Sequence, residues 1–269
     1  MPDPASYEIV FRTGTFILVA SGIVLAERLA PCRGVRNRQG LITNLCLFVG
    51  NTLLVRLISA SSLVTVGVLA SSADIGVFTH LDLPVWMEIS IAVVVLDLSV
   101  YGMHRLFHRY PLFWRFHSVH HADPDFDVTT AVRFHPGEIL LSLAGKAAVV
   151  AALGAPIFAI ILFEALLSSG SLFTHGNFRL PATADRILRK LVVTPDMHRI
   201  HHSTDRHEHN RNFGFCLSVW DRVFGSYLDK AETSQSQMSI GLEAIAPATA
   251  TSLVAMLGIP FRSTQGNRA

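Results

Sequence analysis

Five apolar runs dominate the chain, at roughly 9–27, 41–70, 85–104, 138–153 and 156–174. Each is long enough, or nearly so, for a helix across a hydrocarbon layer ~30 Å thick. They point to an all-α fold, an integral membrane helical bundle. Composition agrees: half of the 269 residues are hydrophobic and only 16% are charged, where a soluble domain carries about a quarter. Mean hydropathy is +0.41. The last two runs are separated only by Gly154–Pro156, so they form a hairpin that either spans the membrane or dips in and returns. The second run exceeds one crossing and is expected to tilt or to break near Gly50 or Ser59.

Charge orients the spans. The loop after the first run carries Arg28, Arg33, Arg36 and Arg38 against a single acid, whereas the loop after the second has Asp74 and Asp82 and no Lys or Arg. The positive-inside rule makes the first loop cytoplasmic and the second external. The third run then ends inside near His104, and the hairpin returns the chain to the inside by His175. The N-terminus has no basic stretch, apolar core and small-residue cleavage site in the order of a signal peptide, so the first run is expected to stay in the mature protein. Cys32, Cys46 and Cys216 form no CxxC pair, which argues against a zinc ribbon, an iron–sulfur cluster or a disulfide framework. A net charge of +2 without a basic block gives no sign of a nucleic-acid partner.

Histidine is used in a pattern that membrane crossing does not need. His104 and His108 are four apart, on one face of a helix. His117, His120 and His121 follow as HxxHH, and His198, His201 and His202 repeat that spacing. A random chain with this histidine content would hold about 0.03 copies of HxxHH. Eight imidazoles exceed what one ion uses, and two ions with about four nitrogens each fit the count. Imidazole suits iron, zinc, copper and nickel alike. No carboxylate stands in Glu-x-x-His spacing, so a carboxylate-bridged di-iron bundle is not expected. The site expected is a cytoplasmic, histidine-rich helical cap holding two metal ions.

These motifs, with "DLSVYGMHRLFH", "TTAVRFHPGE", "TPDMHRIHHS" and "NFGFCLSVWDRVFGSY", make the chain resemble the membrane fatty acid hydroxylase/sterol desaturase superfamily from about Asp97 to Tyr227. The resemblance implies a non-haem di-iron centre (two Fe ions) that uses O2 and two external electrons to hydroxylate or desaturate a lipid C–H bond. It divides the chain into N-terminal transmembrane helices (1–84), a catalytic region (85–230) that includes the hairpin 138–174, and a polar, partly amphipathic tail (231–269). No GxGxxG fingerprint marks a reductase, so electrons must come from a ferredoxin-like or b-type-cytochrome-like donor with its reductase. The family often places another ligand near His175. Here a second histidine four residues on is missing, with Arg179 in its place, and His175 is either a ligand or an interfacial helix-capping histidine.

Further candidates lie around the motifs. Asp97 and Tyr101 share the stripe of His104 and His108. A carboxylate inside a transmembrane helix is costly and usually functional or paired. Asp97 is expected to accept the second N–H of a ligand imidazole, with an ion pair to Arg56 as the alternative. Asn212 and Asn177 are candidates for orienting a metal-bound water. His135 is expected outside the ligand set or in a lid, His207 and His209 in a polar loop, and His80 on the far side. HPGE at His135–Glu138 superficially matches a haem-binding motif, but the apolar hairpin that follows leaves no soluble haem domain. Arg105, Arg109 and Arg115 could meet lipid phosphates or an acidic donor, or simply mark the interface. Trp220, Phe224 and Tyr227 are expected at the interface or under the cap. The short stretch "TSLVAMLGIPF" is expected on the membrane surface.

Two other functions use the same residues. A membrane zinc hydrolase would need a carboxylate base near the metal, for which Asp123, Asp125 and Asp205 are available. A metal transporter or sensor would need polar residues through the spans, and that set stops near Asp97. The lipid itself (sterol, fatty acyl, sphingoid, ether-lipid or carotenoid) is not legible in the sequence.

Overall fold

The computed structural model describes residues 4–34, 38–58 and 63–262. Its helices are α1 (Pro4–Leu29), α2 (Arg38–Ile58), α3 (Leu63–Ser72), α4 (Val85–Arg109), α5 (Pro111–His121), α6 (Pro136–Leu153) and α7 (Ile157–Thr174). Short helices follow: α8 (Ala182–Leu188), α9 (Pro195–His201), α10 (Arg206–His209), α11 (Val219–Val223), α12 (Pro247–Ala250) and α13 (Leu253–Gly258). No strand forms among the described residues.

Five segments are long and apolar enough to cross a membrane: Ile9–Leu29, Gln39–His80, Val85–Arg109, Pro136–Leu153 and Ile157–Thr174. The overlong second segment runs from α2 through α3. Gly50 lies inside unbroken α2, and Ser59 lies outside the described residues. Leu18, Leu57, Val85 and Phe158 remain exposed on the spans, as suits side chains facing lipid. The hairpin turns at Gly154, whose φ of 66° suits glycine. A Cβ there would stand 2.9 Å from the Ile75 carbonyl oxygen. Ala92, Leu96, Val150, Ile160 and Phe163 form the apolar core between α3, α4, α6 and α7.

Helix α1 lies at the edge of the bundle, with Phe16, Ala20 and Ile23 against Leu172 and Ala131. It also carries a charge into the spans. Arg12 Nη2 meets Glu164 Oε2 at 2.8 Å and Lys146 Nζ meets Glu164 Oε1 at 2.8 Å. Unpaired, such charges would each cost about 2.5–3.5 kcal/mol on insertion scales; the pairing offsets part of that.

The chain bends sharply between α4 and α5. Pro111 disfavours helical geometry in the residue before it, and Tyr110 is extended at φ −107° and ψ 124°. This corner folds HxxHH back onto HxxxH. The C-terminal ends of α4 and α7, the N-terminal end of α6, and all of α5 and α9 therefore meet at one end of the bundle. Buried Arg133 fixes that end: its guanidinium donates to Val119 O at 2.7 Å, Asn44 Oδ1 at 2.8 Å and Ala250 O at 2.7 Å. The tail closes over it. Met256 and Ile259 are buried on Leu47 and Val119, while Val254 and Phe261 of the same stretch point outward.

Candidate metal centre

Nine buried imidazoles converge at this end in two adjoining groups. His104, His108, His117, His121 and His201 form the first, and His120, His175, His198 and His202 the second; within each, the potential ligand atoms lie within 4.8 Å of one another. Helical spacing explains the division. The i, i+4 pair of the α5 motif, His117 and His121, enters the first group, and His120 between them points to the second. The repeated motif does the reverse, sending His198 and His202 to the second group and His201 to the first. Each HxxHH thus serves both groups.

Hydrogen bonding fixes which nitrogens face inward. His104 Nδ1–H donates to Phe213 O at 2.8 Å, His201 Nδ1–H to Arg211 O at 2.8 Å, His120 Nδ1–H to Arg133 O at 3.2 Å and His175 Nδ1–H to Ser171 O at 2.8 Å. A carbonyl oxygen only accepts, so these tautomers keep the proton on Nδ1 and the lone pair on Nε2. His117 is set the same way by the Glu138 carboxylate, with Nδ1 at 2.7 Å from Oε1. The Nε2 atoms then face one another: His104 to His117 at 3.1 Å, His201 to His104 at 3.0 Å and His175 to His120 at 3.1 Å.

Lone pairs aimed at each other at that distance repel unless a cation lies among them. Protons are a poor choice of cation here. Burial, reinforced by neighbouring imidazoles, holds His120, His121, His198, His201 and His202 far below 6.5. Burial likewise brings His117 to about 3 and His175 to about 4. A metal ion fits: two nitrogens bound at about 2.1 Å and at right angles stand about 3.0 Å apart. Both ring nitrogens of His108 and of His202 are buried without a hydrogen-bond partner, a state that costs about 1–3 kcal/mol per group and that coordination would relieve.

Two residues at the site lie beyond the sequence reading. Glu138, known only from the HPGE stretch, is the carboxylate behind His117. His209 is not in a polar loop but buried, with ring centroids 4.8 Å from His108, 4.5 Å from His121 and 4.9 Å from Trp114. Only the turn before it is polar, and His207 is exposed.

Other candidates lie away from the imidazoles. Asp97 Oδ2 accepts from Trp220 Nε1 at 2.8 Å and Leu217 N at 3.3 Å. The expected bond to a ligand imidazole is absent, because a loop from the far end of the chain reaches the carboxylate first. Tyr101 Oη bonds Ser226 Oγ at 2.8 Å and its ring stacks on Phe224, facing that loop rather than the histidines. Asn212 has φ 55°, a conformation asparagine tolerates. Its Nδ2 donates to Met197 O and Leu228 O, both at 3.0 Å, and its Oδ1 accepts from Leu228 N at 2.8 Å. These bonds tie the side chain to the backbone of Met197 and Leu228. Asn177 is bonded both ways to the backbone of Arg33. His135 caps α6, accepting from Gly137 N at 2.9 Å, while its Nε2–H donates to Leu257 O at 3.3 Å. Of the acids considered as hydrolytic bases, Asp123 is held by Asn44 and Thr130, and Asp205 caps α10.

Comparison with known proteins follows this geometry. The family model for fatty acid hydroxylase matches residues 89–226. An ornithine lipid hydroxylase from Rhizobium tropici is 29% identical over 157 residues, 58% of this chain and 46% of that protein. An alkylglycerol monooxygenase from Homo sapiens is 26% identical over 136 residues, 51% of this chain and 29% of its own length. A fatty acid hydroxylase from Lecanicillium sp is 23% identical, covering 58% of this chain and 46% of that protein. The chain spans less than half the length of these relatives. No solved structure matches it at a significant level.

Proposed function

The chain belongs to the fatty acid hydroxylase family, and from that premise we propose that it inserts one oxygen atom into an unactivated C–H bond of a bilayer lipid. One O2, two electrons and two protons convert the C–H group to C–OH and release one water. The observation that carries this reading is the pair of adjoining histidine groups, whose lone pairs converge at one end of a lipid-facing bundle. The nine histidines would hold two iron ions, five on one and four on the other, and bound iron supplies the O2 activation that side chains lack. The protein's own part is to fix the tautomers through Phe213 O, Arg133 O, Ser171 O, Arg211 O and Glu138. Phe107, Trp114, Phe126, Phe134 and Phe213 pack against the histidines and would keep water from bound ions.

The catalytic part is taken as 85–230 with its hairpin, joined to N-terminal spans (1–84) and to a tail (231–269) that closes the cap. The arginine-rich loop after α1 supports a cytoplasmic position for the histidine end. There an external donor, ferredoxin-like or b-type-cytochrome-like, can deliver electrons. Exposed Arg105, Arg109 and Arg115 suit lipid phosphates or the donor's acidic face. The names of the relatives, an ornithine lipid hydroxylase and an alkylglycerol monooxygenase, favour oxygen insertion into a polar membrane lipid over desaturation. A zinc hydrolase is not favoured.

The test joins metal analysis to lipid profiling. Purified full-length protein should hold about two irons per chain, in line with the ligand count. Cells expressing it should contain a lipid heavier by one oxygen, absent without O2 or when His201 is replaced by Ala. Zinc-loaded protein that cleaves a lipid anaerobically would refute the reading.

A further inference from the structure

On the membrane side of both histidine groups the wall is not a helix. Residues 213–218 run as an irregular stretch between α4 and α7. Irregular backbone at membrane depth persists only where it is buried in protein that satisfies its polar groups, and protein groups meet much of this stretch. Phe213 N and Gly214 N donate to Asp221 Oδ1 and Oδ2 at 2.7 and 2.8 Å. Leu217 N donates to Asp97, Val193 N to Cys216 O at 2.9 Å, and Ser218 N to Leu191 O at 3.0 Å. Gly170 of α7 lets the stretch come close, since a Cβ there would stand 2.9 Å from Cys216 Sγ. Asp97 lies seven residues before His104 on α4, about 10 Å deeper along the helix, so the stretch reaches into the hydrocarbon region.

Phe215 is the side chain this stretch holds beneath the two histidine groups. Its ring centroid is 5.9 Å from His104 of the first group and 6.4 Å from His198 of the second. It also belongs with Met103 and Leu167 to the apolar core of the spans. The other rings at the site are one-sided. Phe213 touches His104, His108 and His201 of the first group, and Phe126 touches His175, His198 and His202 of the second. Phe215 is half-buried, whereas the histidines behind it are sealed.

We propose that Phe215 is a specificity-determining residue, against whose ring the substrate's hydrocarbon chain rests, and whose bulk sets which carbon reaches the two histidine groups. The inference rests on the lipid hydroxylase reading. It is tested by locating the inserted hydroxyl, by tandem mass spectrometry, in the membrane lipids of cells expressing the wild type, Phe215→Ala, Phe215→Leu or Phe215→Trp, with iron content measured on each protein. The expected result is a hydroxyl displaced by one or more carbons, in opposite senses for Ala and Trp, with iron unchanged. An unmoved hydroxyl and unaltered chain-length preference in iron-replete variants would overturn it. So would loss of iron in Phe215→Leu, which marks a packing role. A second measurement needs no turnover: the full chain in phosphatidylcholine vesicles whose acyl chains carry a diazirine should cross-link at 213–217. Labelling confined to other parts of the spans counts against the proposal even if the wild type oxygenates nothing, an outcome that would sink the hydroxylase reading instead.

Discussion

The two histidine groups draw on the same motifs yet are supported differently. The first has five imidazoles, one of them backed by a carboxylate, and a further buried imidazole, His209, at its edge. The second has four; its hydrogen-bonded rings, His120 and His175, rest on the backbone carbonyls of Arg133 and Ser171, and Phe126 and Phe134 flank it. Where Glu138 is ionised, it raises the basicity of the His117 imidazole more than a neutral carbonyl would. The groups should therefore bind unequally, the first more tightly. Removing one ligand from either is the largest perturbation. His201→Ala in the first and His120→Ala in the second should each abolish turnover and lower iron to about one ion per chain, with membrane insertion intact. Full activity in either variant breaks the assignment. Equal loss of both ions from both variants breaks the division into two groups.

Acid should be the next largest disturbance. A histidine with a folded pKa below its unfolded value of 6.5 is neutral in both states at high pH, so stability is fully present above 6.5. As pH falls the unfolded chain takes the proton first, and stability is lost progressively until the folded pKa is reached. That limit is about 4 for His175 in the second group and about 3 for His117 in the first. Metal-free protein should lose thermal stability steeply between pH 6.5 and 4, and iron-loaded protein should hold to lower pH because bound metal excludes the proton. A melting temperature for the metal-free protein that is flat over this range would contradict the buried, neutral state of the imidazoles. Glu138→Ala probes the asymmetry directly. Losing such a partner typically lowers metal affinity about 10- to 100-fold, and a two-site metal titration should show that loss at one ion only.

Sequence reading reached furthest where the information is local. HxxxH and HxxHH specify helix faces over a few residues, so the convergence of these histidines followed from their spacing once the corner at Tyr110–Pro111 had formed. The single-residue allocation of each trio to two groups was not readable, because it depends on how α5 and α9 cross. Asp97 shows the limit. Periodicity placed it on the histidine stripe, but its partners, Leu217 and Trp220, lie about 120 positions away in an irregular stretch with no periodicity. Glu138 was hidden for a similar reason: its bond to His117 spans 21 residues and was masked by a misleading motif. Asn212 looked like a polar group near the metals, yet its left-handed backbone turns the side chain onto Met197 and Leu228. His209 stood within "DRHEHNRN", whose composition suggests solvent, although one turn of α10 rotates it inward.

His209 carries the smallest of the expected effects and the finest test of the comparison. Its ring touches four aromatic neighbours, His108, Trp114, His121 and His201, and its Nε2 has no partner, yet it falls outside the set of converging ligand atoms in the first group. If it serves the group only by filling space, another aromatic ring suffices. His209→Phe should then keep both irons and leave the hydroxyl position unchanged, with a stability cost of about 1–3 kcal/mol for the larger ring. His209→Ala should lose more stability than Phe, because the cavity would lie directly beneath His108 and His121. If His209→Phe sheds one ion while the second group keeps its own, the first group has six imidazoles, and its advantage over the second comes from ligand number more than from Glu138.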